Sequence, residues 1–197
     1  CALLLRSSRQ SPISTIRSLI GRNPSQLAEL KLEGFTCLAC DLSEIASYPA
    51  LVANIEAFDG LLFAAGAAES ARPFAMLTAQ ALQDLFILNT LAPFELIKLS
   101  QKKRKINEGG AICYISSVIE KCGTLASGGY GATKSAFSAL ARSMGMELSK
   151  KKIRINTVAN SRAGMTSATE RDVSGRGRRD LAMPWRLPRP RTAPLDA

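Results

Sequence analysis

Tyr130 and Lys134 place a phenol and an ammonium group four residues apart near the start of a predicted helix. Side chains at positions i and i+4 lie on the same face of a helix, so both groups can act at one point. The phenol of tyrosine has an ordinary pKa of about 10, and a neighbouring positive charge lowers it. We therefore predict a pair that gives a proton to a carbonyl oxygen or takes one from an alcohol.

A strand that ends in hydroxyl groups precedes this helix. Residues 111–117 form a short apolar run that ends in two serines, which is typical of a buried parallel strand. Ligands bind beyond the carboxyl ends of such strands, so the second serine, Ser117, is a candidate for the same site as Tyr130, thirteen positions later. Asn89 lies in the apolar helical stretch 82–99, where an amide is either a satisfied core group or part of a polar site.

Strands and helices alternate along the chain, and this order predicts the framework that holds these groups. Apolar runs predict strands, and a period of 3.6 residues with Ser or Thr caps predicts the helices between them. The alternation indicates an α/β fold with a doubly wound, Rossmann-like parallel sheet. The predicted strands are residues 2–5, 17–21, 35–40, 60–65, 111–115 and 153–158, and the predicted helices are residues 24–32, 43–58, 78–100 and 130–149.

Together these residues resemble the catalytic set of the short-chain dehydrogenase/reductase family, which combines a strand-end serine, a Tyr-x-x-x-Lys helix and a helical asparagine. Ser117, Tyr130, Lys134 and Asn89 match that set, including the spacing from serine to tyrosine. The resemblance implies that Tyr130 exchanges the proton and that Ser117 hydrogen-bonds the carbonyl. It implies that Lys134 lowers the pKa of Tyr130 and holds the nicotinamide ribose, and that Asn89 holds a water molecule in a proton relay.

Three further elements of the family occur in the expected order. They are the adenine-contacting aspartate with its neighbour (Asp41 and Leu42), a counterpart of the family's Asn-Asn-Ala-Gly element without its asparagines (Ala64, Ala65 and Gly66), and the following strand (154–159). The resemblance runs from about residue 17 to about residue 166 and is greatest to bacterial 3-oxoacyl-carrier-protein reductase-like members. We predict one domain over residues 1–166. In this domain we expect Asp41 and Leu42, Ala65 and Gly66 to contact the cofactor together with Tyr130 and Lys134.

The N-terminal end departs from the family pattern. The family has a glycine-rich turn between its first strand and first helix, where backbone N–H groups and the helix N-terminus hold a pyrophosphate. Residues 6–12 contain no glycine, and only residues 13–16 separate them from the next predicted strand. We therefore expect an incomplete first strand–helix unit and weakened cofactor binding. Arg6 and Arg9 are candidates to hold the phosphates instead.

The residue that follows the second predicted strand favours NADP(H) over NAD(H). An acidic residue at this position holds the ribose 2′-hydroxyl of NAD, whereas a guanidinium group suits a 2′-phosphate. Arg22 occupies this region. We predict that it contacts the phosphate, and the alternative is that it is a solvated loop residue.

The C-terminal end also departs from the family. Asn160 and Ser161 stand where the family has Pro-Gly, and Thr166 matches a family threonine near the nicotinamide amide. Residues 167–197 are rich in arginine and proline, a composition typical of a disordered tail, and the family's substrate-covering elements are not recognisable there. We expect a fold that is incomplete at this end, and a shifted reading frame or an alternative transcript end would explain it.

The composition is that of a soluble globular protein, and it excludes several kinds of site. The absence of histidine excludes Ser-His-Asp and Cys-His catalysis and histidine-bearing zinc sites. Cys37 and Cys40 lie in a predicted strand with their sulfurs on opposite faces, so we expect core cysteines and no metal site. Much of the net charge of +10 comes from clusters at predicted helix ends, and we do not expect nucleic acid as a partner. Without an apolar run of about 18 residues, we expect no membrane span and a cytoplasmic location.

Three functions are consistent with these observations. The first is an NADP(H)-dependent reductase or dehydrogenase that acts on a small-molecule carbonyl or alcohol, ketoacyl or similar, and forms the homodimer or tetramer that the resemblance implies. The second is a catalytically impaired relative of the family that acts only through dimerisation. The third is a binding protein that uses the basic tail, residues 170–197.

Overall fold

A computed structural model describes residues 3–6, 16–32, 35–68 and 73–160 of the chain. All of them belong to the first of the two units into which the chain divides, Cys1–Gly164. The roles predicted for Arg9, for Thr166 and for the tail therefore concern residues outside the described part of the chain.

The described residues form six strands and five α-helices. The strands are β1 (Leu3–Arg6), β2 (Ile16–Gly21), β3 (Thr36–Ala39), β4 (Phe58–Phe63), β5 (Ile106–Ser117) and β6 (Arg154–Asn160). The helices are α1 (Pro24–Leu32), α2 (Tyr48–Asn54), α3 (Ala79–Phe86), α4 (Ala92–Lys102) and α5 (Gly128–Leu148). In the described ranges, no helix is long and apolar enough to cross a membrane.

One sheet joins the six strands in the order β3-β2-β1-β4-β5-β6. β2 pairs with β3, β4 with β5, and β5 with β6, each time in parallel. Helical connections link these parallel neighbours, as right-handed crossovers require. The strand order and the helical crossovers confirm the predicted α/β, doubly wound class.

The first strand, β1, is the exception because it runs antiparallel to both of its neighbours. Leu3 pairs with Phe63 at the carboxyl end of β4, and Arg6 pairs with Gly60 near its start. Parallel neighbours need a crossover of about a dozen or more residues, while antiparallel strands can be joined by a short connection. Residues 7–15 are too few for a crossover with a helix. The sheet is therefore mixed rather than parallel throughout. The absence of a predicted helix between the first two strands was the signal in the sequence for this change of direction.

The hydrophobic core lies between the sheet and the helices that pack on it. Its fully buried side chains include Tyr48 of α2, Leu96 of α4, Ile112 and Tyr114 of β5, and Phe137 of α5. Burial of one such side chain stabilises the fold by about 1.5–3 kcal/mol. This packing gives the ends of β4 and β5 a rigid base.

A π-helical segment, Ile87–Leu91, separates α3 from α4 and contains Asn89. Pro93 lies in the first turn of α4 and has no N–H group. In a regular α-helix the carbonyl of Asn89 would accept a hydrogen bond from the N–H of residue 93. In the π-helical segment, the N–H of Ala92 bonds to the carbonyl of Ile87, five residues earlier. The helix predicted over 78–100 is thus continuous but contains a π-helical segment, and the Asn89 carbonyl is available to a partner outside the helix.

Candidate active site

The first turns of α5 carry Tyr130 and Lys134 on one face of the helix. Both residues are buried, with exposed fractions of 6% and 3%. The Nζ of Lys134 donates to the carbonyl of Ile115 at 2.8 Å and lies 5.5 Å from the centre of the Tyr130 ring. Strand β5 therefore fixes the ammonium group beside the phenol.

Ser117 ends β5 and meets Tyr130 between the strand and the helix. Its side chain hydrogen-bonds the Tyr130 side chain, and its hydroxyl oxygen accepts from the N–H of Ile119 at 3.4 Å. Gly131 permits this close packing, because a Cβ there would lie 2.9 Å from Cγ2 of Ile119. The two hydroxyl groups consequently meet at the carboxyl end of β5.

Burial raises the pKa of the Tyr130 phenol, and the hydrogen bond with Ser117 offsets part of that effect. We expected Lys134 to lower the pKa of Tyr130, and that effect stays a prediction; the net shift of the phenol is upward. Desolvation is the largest cause of that shift, and the ammonium group lies 5.5 Å from the ring centre, where it bonds a backbone carbonyl. At neutral pH the phenol is therefore protonated and is a proton donor.

Burial also lowers the pKa of the Lys134 ammonium group to about 8, and the carboxylate of Glu120 acts in the opposite direction. Glu120 follows β5 and accepts hydrogen bonds from the hydroxyls of Ser116 and Ser138, the latter at 2.5 Å. Ser116 follows Ile115, the acceptor of the Lys134 bond, and Ser138 lies one helical turn beyond Lys134. A half-buried carboxylate thus joins the strand to the helix on both sides of the ammonium group.

Asn89 is fully buried, and its polar groups bind neighbouring elements. Its Nδ2 donates to the carbonyl of Ala67 at 2.7 Å and to Oγ1 of Thr133 at 3.0 Å, and its Oδ1 accepts from the N–H of Ala67 at 2.9 Å. Its carbonyl accepts from the Tyr114 hydroxyl at 2.8 Å. These bonds tie the loop after β4 to the π-helical segment and α5. This is a positioning arrangement, and the water-holding role that the resemblance implies stays a prediction.

Gly66 brings the loop after β4 against two of the predicted catalytic residues. A Cβ at this position would lie 3.2 Å from Oδ1 of Asn89 and 3.4 Å from Nζ of Lys134. A side chain at residue 66 would therefore crowd both polar groups. The same glycine lines the neighbouring pocket, so it connects the acid/base residues with the predicted cofactor contacts.

Five of the predicted cofactor contacts line one small pocket beside this loop. They are Arg22, Asp41, Leu42, Ala65 and Gly66. The pocket has a volume of about 120 Å³ and lies where β2, β3 and β4 end. Nucleotides bind at this edge of open α/β sheets. The structure therefore brings these five residues together, whereas Thr166 lies outside the described residues.

Asp41 and Arg22 form the charged side of this pocket. Oδ1 of Asp41 accepts from the N–H of Ser43 at 2.9 Å and from its hydroxyl at 2.7 Å, and these bonds hold the pKa of the carboxyl group below its usual value. Nη1 of Arg22 lies 3.9 Å from Oδ2 of Asp41, and 75% of the Arg22 side chain is exposed. An ion pair this exposed contributes little to stability, so the guanidinium group remains accessible to another anion.

The described residues contain no counterpart of the family's glycine-rich turn beside this pocket. After a parallel first strand, that turn would lie next to the loop after β4. Here β1 ends at Arg6 opposite Gly60, so its end faces the other edge of the sheet. The role predicted for the Arg6 side chain stays a prediction. In the described part of the chain, the pocket residues are those predicted to contact adenosine, and no glycine-rich turn for a pyrophosphate lies beside them.

Three polar residues of the site were absent from the sequence prediction: Tyr114, Glu120 and Thr133. Thr133 and Tyr114 hydrogen-bond Asn89, and Glu120 acts on Lys134. The available signal for Tyr114 was the period of two in a strand, which puts it on the same buried face as Ser116. No comparable local signal marks Glu120, because its partners lie on two different elements.

The comparisons with known proteins agree with the fold. A sequence model of the family described as short chain dehydrogenase matches residues 15–175. The chain therefore belongs to the short-chain dehydrogenase family. By this membership it is related to oxidoreductases that use a nicotinamide cofactor.

Two curated relatives are named for reactions at a carbonyl or an alcohol. The chain is 27% identical over 163 residues to carbonyl reductase family member 4 of Xenopus laevis, an alignment that covers 79% of this chain and 69% of the relative. It is 28% identical over 135 residues to L-fucose dehydrogenase of Oryctolagus cuniculus, which covers 66% of this chain and 47% of the relative.

Two solved structures that hold a nicotinamide cofactor superpose on the chain. A 4-hydroxyisoleucine dehydrogenase complexed with NADH and succinate gives a TM-score of 0.63 at 26% identity, over 71% of this chain and 65% of the other. BdcA in complex with NADPH gives a TM-score of 0.64 at 25% identity, over 73% of this chain and 63% of the other. This chain thus spans less than two thirds of each of these structures.

Proposed function

We propose that this protein is an NADP(H)-dependent oxidoreductase that acts on the carbonyl or alcohol group of a small molecule, with Tyr130 as its acid/base residue. The observation that carries the proposal is the contact between the Ser117 and Tyr130 side chains beside the buried ammonium group of Lys134. A hydroxyl pair next to a buried cation is suited to proton exchange with a substrate oxygen and to stabilisation of the charge that develops there.

Each residue has a separate role in this proposal. The Tyr130 hydroxyl gives its proton to the substrate's carbonyl oxygen, and Ser117 donates a hydrogen bond to the same oxygen. Lys134 supplies positive charge beside the phenolate that remains, and it holds the nicotinamide ribose. A bound nicotinamide supplies the hydride. Asn89 positions α5 through its bond to Thr133.

The pKa of Tyr130 decides which protonation state the phenol has when the reaction begins. Burial raises that pKa, so the phenol is protonated over the neutral range. A protonated phenol is an acid, and reduction of a carbonyl needs an acid at the oxygen. Oxidation of an alcohol would need the phenolate, which forms only at higher pH. At neutral pH Tyr130 is therefore in the protonation state that carbonyl reduction requires.

The cofactor preference in this proposal depends on Arg22. Its exposed guanidinium group faces the pocket next to Asp41 and can pair with a 2′-phosphate. One structural relative is in complex with NADPH and another with NADH, which supports a nicotinamide dinucleotide without choosing between the two. Competing titrations with NADPH and NADH would test the preference, and equal affinities would contradict it.

The substitution Tyr130→Phe tests the proposed function. It removes the hydroxyl and keeps the ring, so we expect turnover to fall by about 10²- to 10⁴-fold, the usual contribution of general acid catalysis. The assay would follow NADPH oxidation with a panel of small ketones and 3-oxoacyl thioesters, and the thermal unfolding midpoint would serve as the control. Retained turnover in a folded Tyr130→Phe protein would remove Tyr130 from this role.

A second candidate function, a catalytically impaired relative, is supported by the direction of β1. The strand end that would lead into the pyrophosphate turn lies at the opposite edge of the sheet. Calorimetric titration with NADPH separates the two candidates. Micromolar binding favours the enzyme, and the absence of heat at millimolar cofactor favours an impaired protein that acts through dimerisation with an intact relative.

The assembly, the location and the domain boundary are further parts of the proposal. Leu91 and Met146, on the two helical elements that correspond to the family's subunit contact, are 44% and 71% exposed, which supports a homodimer or tetramer. Light scattering of the purified chain would test this, and a monomer would contradict it. We also propose a cytoplasmic protein whose domain ends near residue 166, before a separate tail over 167–197.

A further inference from the structure

Tyr114 lies in the middle of β5 and contacts two of the four residues assigned to the acid/base site. It is fully buried, although it carries a hydroxyl group. Its hydroxyl bonds Asn89, and its ring lies beside the ammonium group of Lys134. A single side chain therefore links a residue of the π-helical segment with a residue of α5.

The hydroxyl of Tyr114 compensates for the missing N–H of Pro93. The carbonyl of Asn89 cannot accept from residue 93 as it would in a regular helix. Tyr114 donates to that carbonyl at 2.8 Å, with both groups buried. Since a buried carbonyl without a donor is costly, this bond fixes the position of the π-helical segment relative to the sheet.

The ring of Tyr114 provides a face for the Lys134 ammonium group. Nζ lies 4.3 Å from the ring centre, which is closer than its 5.5 Å distance to the ring of Tyr130. The ring of Phe137 packs against Tyr114 with centres 4.1 Å apart and a tilt of 33°, which holds the Tyr114 ring in place. A cation over an aromatic face gains most when both are removed from water, as they are here.

We propose that Tyr114 is a positioning residue for the acid/base site, which holds Asn89 through its hydroxyl and the charged form of Lys134 against its ring. The proposal rests on the function proposed above, because that function requires Lys134 to be charged. Two other titratable groups face Lys134 from the neighbouring elements. They are the phenol of Tyr130 on α5 and the carboxylate of Glu120 after β5.

The test measures the ionisation of Lys134 directly, by NMR titration of lysines labelled with carbon-13 at Cε. The Lys134 signal is assigned by its absence in Lys134→Met. In Tyr114→Leu, which lacks the ring, we expect the Lys134 midpoint to move down by about one pH unit, the equivalent of a desolvated cation–π contact. In Tyr114→Phe, which keeps the ring, we expect the midpoint to stay within about 0.3 pH units of that in the unchanged protein.

Tyr48→Phe is the matched control for the lost hydroxyl. Tyr48 is also fully buried, and its hydroxyl donates to the carbonyl of Leu42 at 2.7 Å. We expect it to lower the thermal unfolding midpoint as Tyr114→Phe does. Tyr48→Phe should leave the titration midpoint of Lys134 unchanged. If the midpoint moved as far as in Tyr114→Leu, the proposal would be overturned, because a general loss of packing would then explain both shifts.

A second series covers the case in which Tyr114→Leu fails to fold. Phenylalanines with increasing numbers of ring fluorines, placed at residue 114, keep the volume and weaken the negative ring face. The Lys134 midpoint should fall stepwise with fluorination, and a constant midpoint would overturn the proposal. The readout needs no turnover. An inactive protein with the expected midpoints would therefore reject the proposed function and keep the role of Tyr114.

Discussion

The two sides of the predicted site differ in how completely they are formed. On the β5–α5 side, Ser117, Tyr130 and Lys134 are buried and held by hydrogen bonds at the end of a parallel strand. On the β1–β2 side, the pocket with Arg22 and Asp41 is present, but β1 runs in the opposite direction to its neighbours. The acid/base chemistry is therefore better supported by the structure than the binding of the cofactor's pyrophosphate.

The difference shows that the two sides depend on different ranges of the chain. The contacts of Tyr130 and Lys134 join residues less than about two dozen positions apart, on one strand and the helix that follows it. The pyrophosphate turn depends on the direction of β1, which the short connection over residues 7–15 reverses. A change in that connection can thus alter cofactor binding and leave the proton-transfer residues in place.

The largest expected effect comes from Lys134→Met, which removes the buried charge on the better-formed side. Turnover should fall by about 10²- to 10⁴-fold, because the charge beside Tyr130 is lost. The free energy of unfolding at pH 7 should rise, by up to about 3 kcal/mol, since burial lowers the pKa of Lys134 from 10.5 to about 8. Loss of the bond to Ile115 and of the contact with Tyr114 reduces that gain.

The pH dependence of stability provides the check on Lys134→Met. Between about pH 8 and 10.5 the folded protein has released the Lys134 proton while the unfolded chain still binds it, so unfolding takes up a proton. The stability of the unchanged protein should therefore rise with pH over this window relative to Lys134→Met. Denaturant unfolding at pH 7 and pH 9.5 measures this. A variant that is less stable at pH 7, with an unchanged pH dependence, would show that the buried charge is not costly.

A smaller effect is expected from Gly131→Ala, which disturbs the contact between α5 and the end of β5. The new Cβ would lie 2.9 Å from Cγ2 of Ile119 and 3.1 Å from its carbonyl oxygen. Moving this turn should cost about 1–3 kcal/mol of stability and shift Ser117 away from Tyr130, with a loss of turnover up to about 10²-fold. Turnover and denaturant unfolding would be measured on the same samples.

Gly128→Ala in the same helix is the control for the added methyl group. A Cβ at Gly128 meets no atom within 4 Å, so neither turnover nor stability should fall. If Gly131→Ala behaved like Gly128→Ala, the close contact with Ile119 would not be what positions Ser117. The comparison between the two sides of the site would then lose its structural basis on the β5–α5 side.

Much of this arrangement could be predicted from the sequence because its signals are local. The spacing of Tyr130 and Lys134 fixes one helix face, and Ser117 at the end of an apolar run fixes a strand end. Arg22 and Asp41 each follow a predicted strand, so parallel pairing brings them to one edge of the sheet. Alternation of strands and helices was sufficient for the fold class.

The remaining features depend on contacts between distant elements or on a balance of effects. The direction of β1 is set by a connection length, which the sequence showed only as a missing helix. The pKa of Tyr130 rises because desolvation outweighs the hydrogen bond with Ser117, and sequence spacing contains no measure of burial. The π-helical segment around Asn89 could have been inferred from Pro93. The donor that replaces the N–H of Pro93 is the Tyr114 hydroxyl, and it comes from β5.

The smallest expected effect comes from Glu120→Gln, which tests whether a neighbouring carboxylate adjusts the pKa of Lys134 on the β5–α5 side. Glutamine keeps the size of the side chain and an oxygen that accepts from Ser116 and Ser138, and it removes the charge. The carboxylate raises the pKa of Lys134, so its loss should lower that pKa further. Lys134 would then lose its proton at lower pH, and the alkaline limb of the turnover profile should move down by about 0.5 pH units.

Ser138→Ala is the matched control for Glu120→Gln, because it removes one hydrogen bond of Glu120 and keeps the charge. We expect it to lower stability by about 1 kcal/mol and to leave the alkaline limb in place. A profile that moves equally in both variants would assign the effect to packing between β5 and α5. A profile that moves only in Glu120→Gln would mean that the carboxylate of Glu120 sets the charge of Lys134. Glu120 is not one of the four predicted residues, so the site on the β5–α5 side would then include a residue that does not itself exchange the proton.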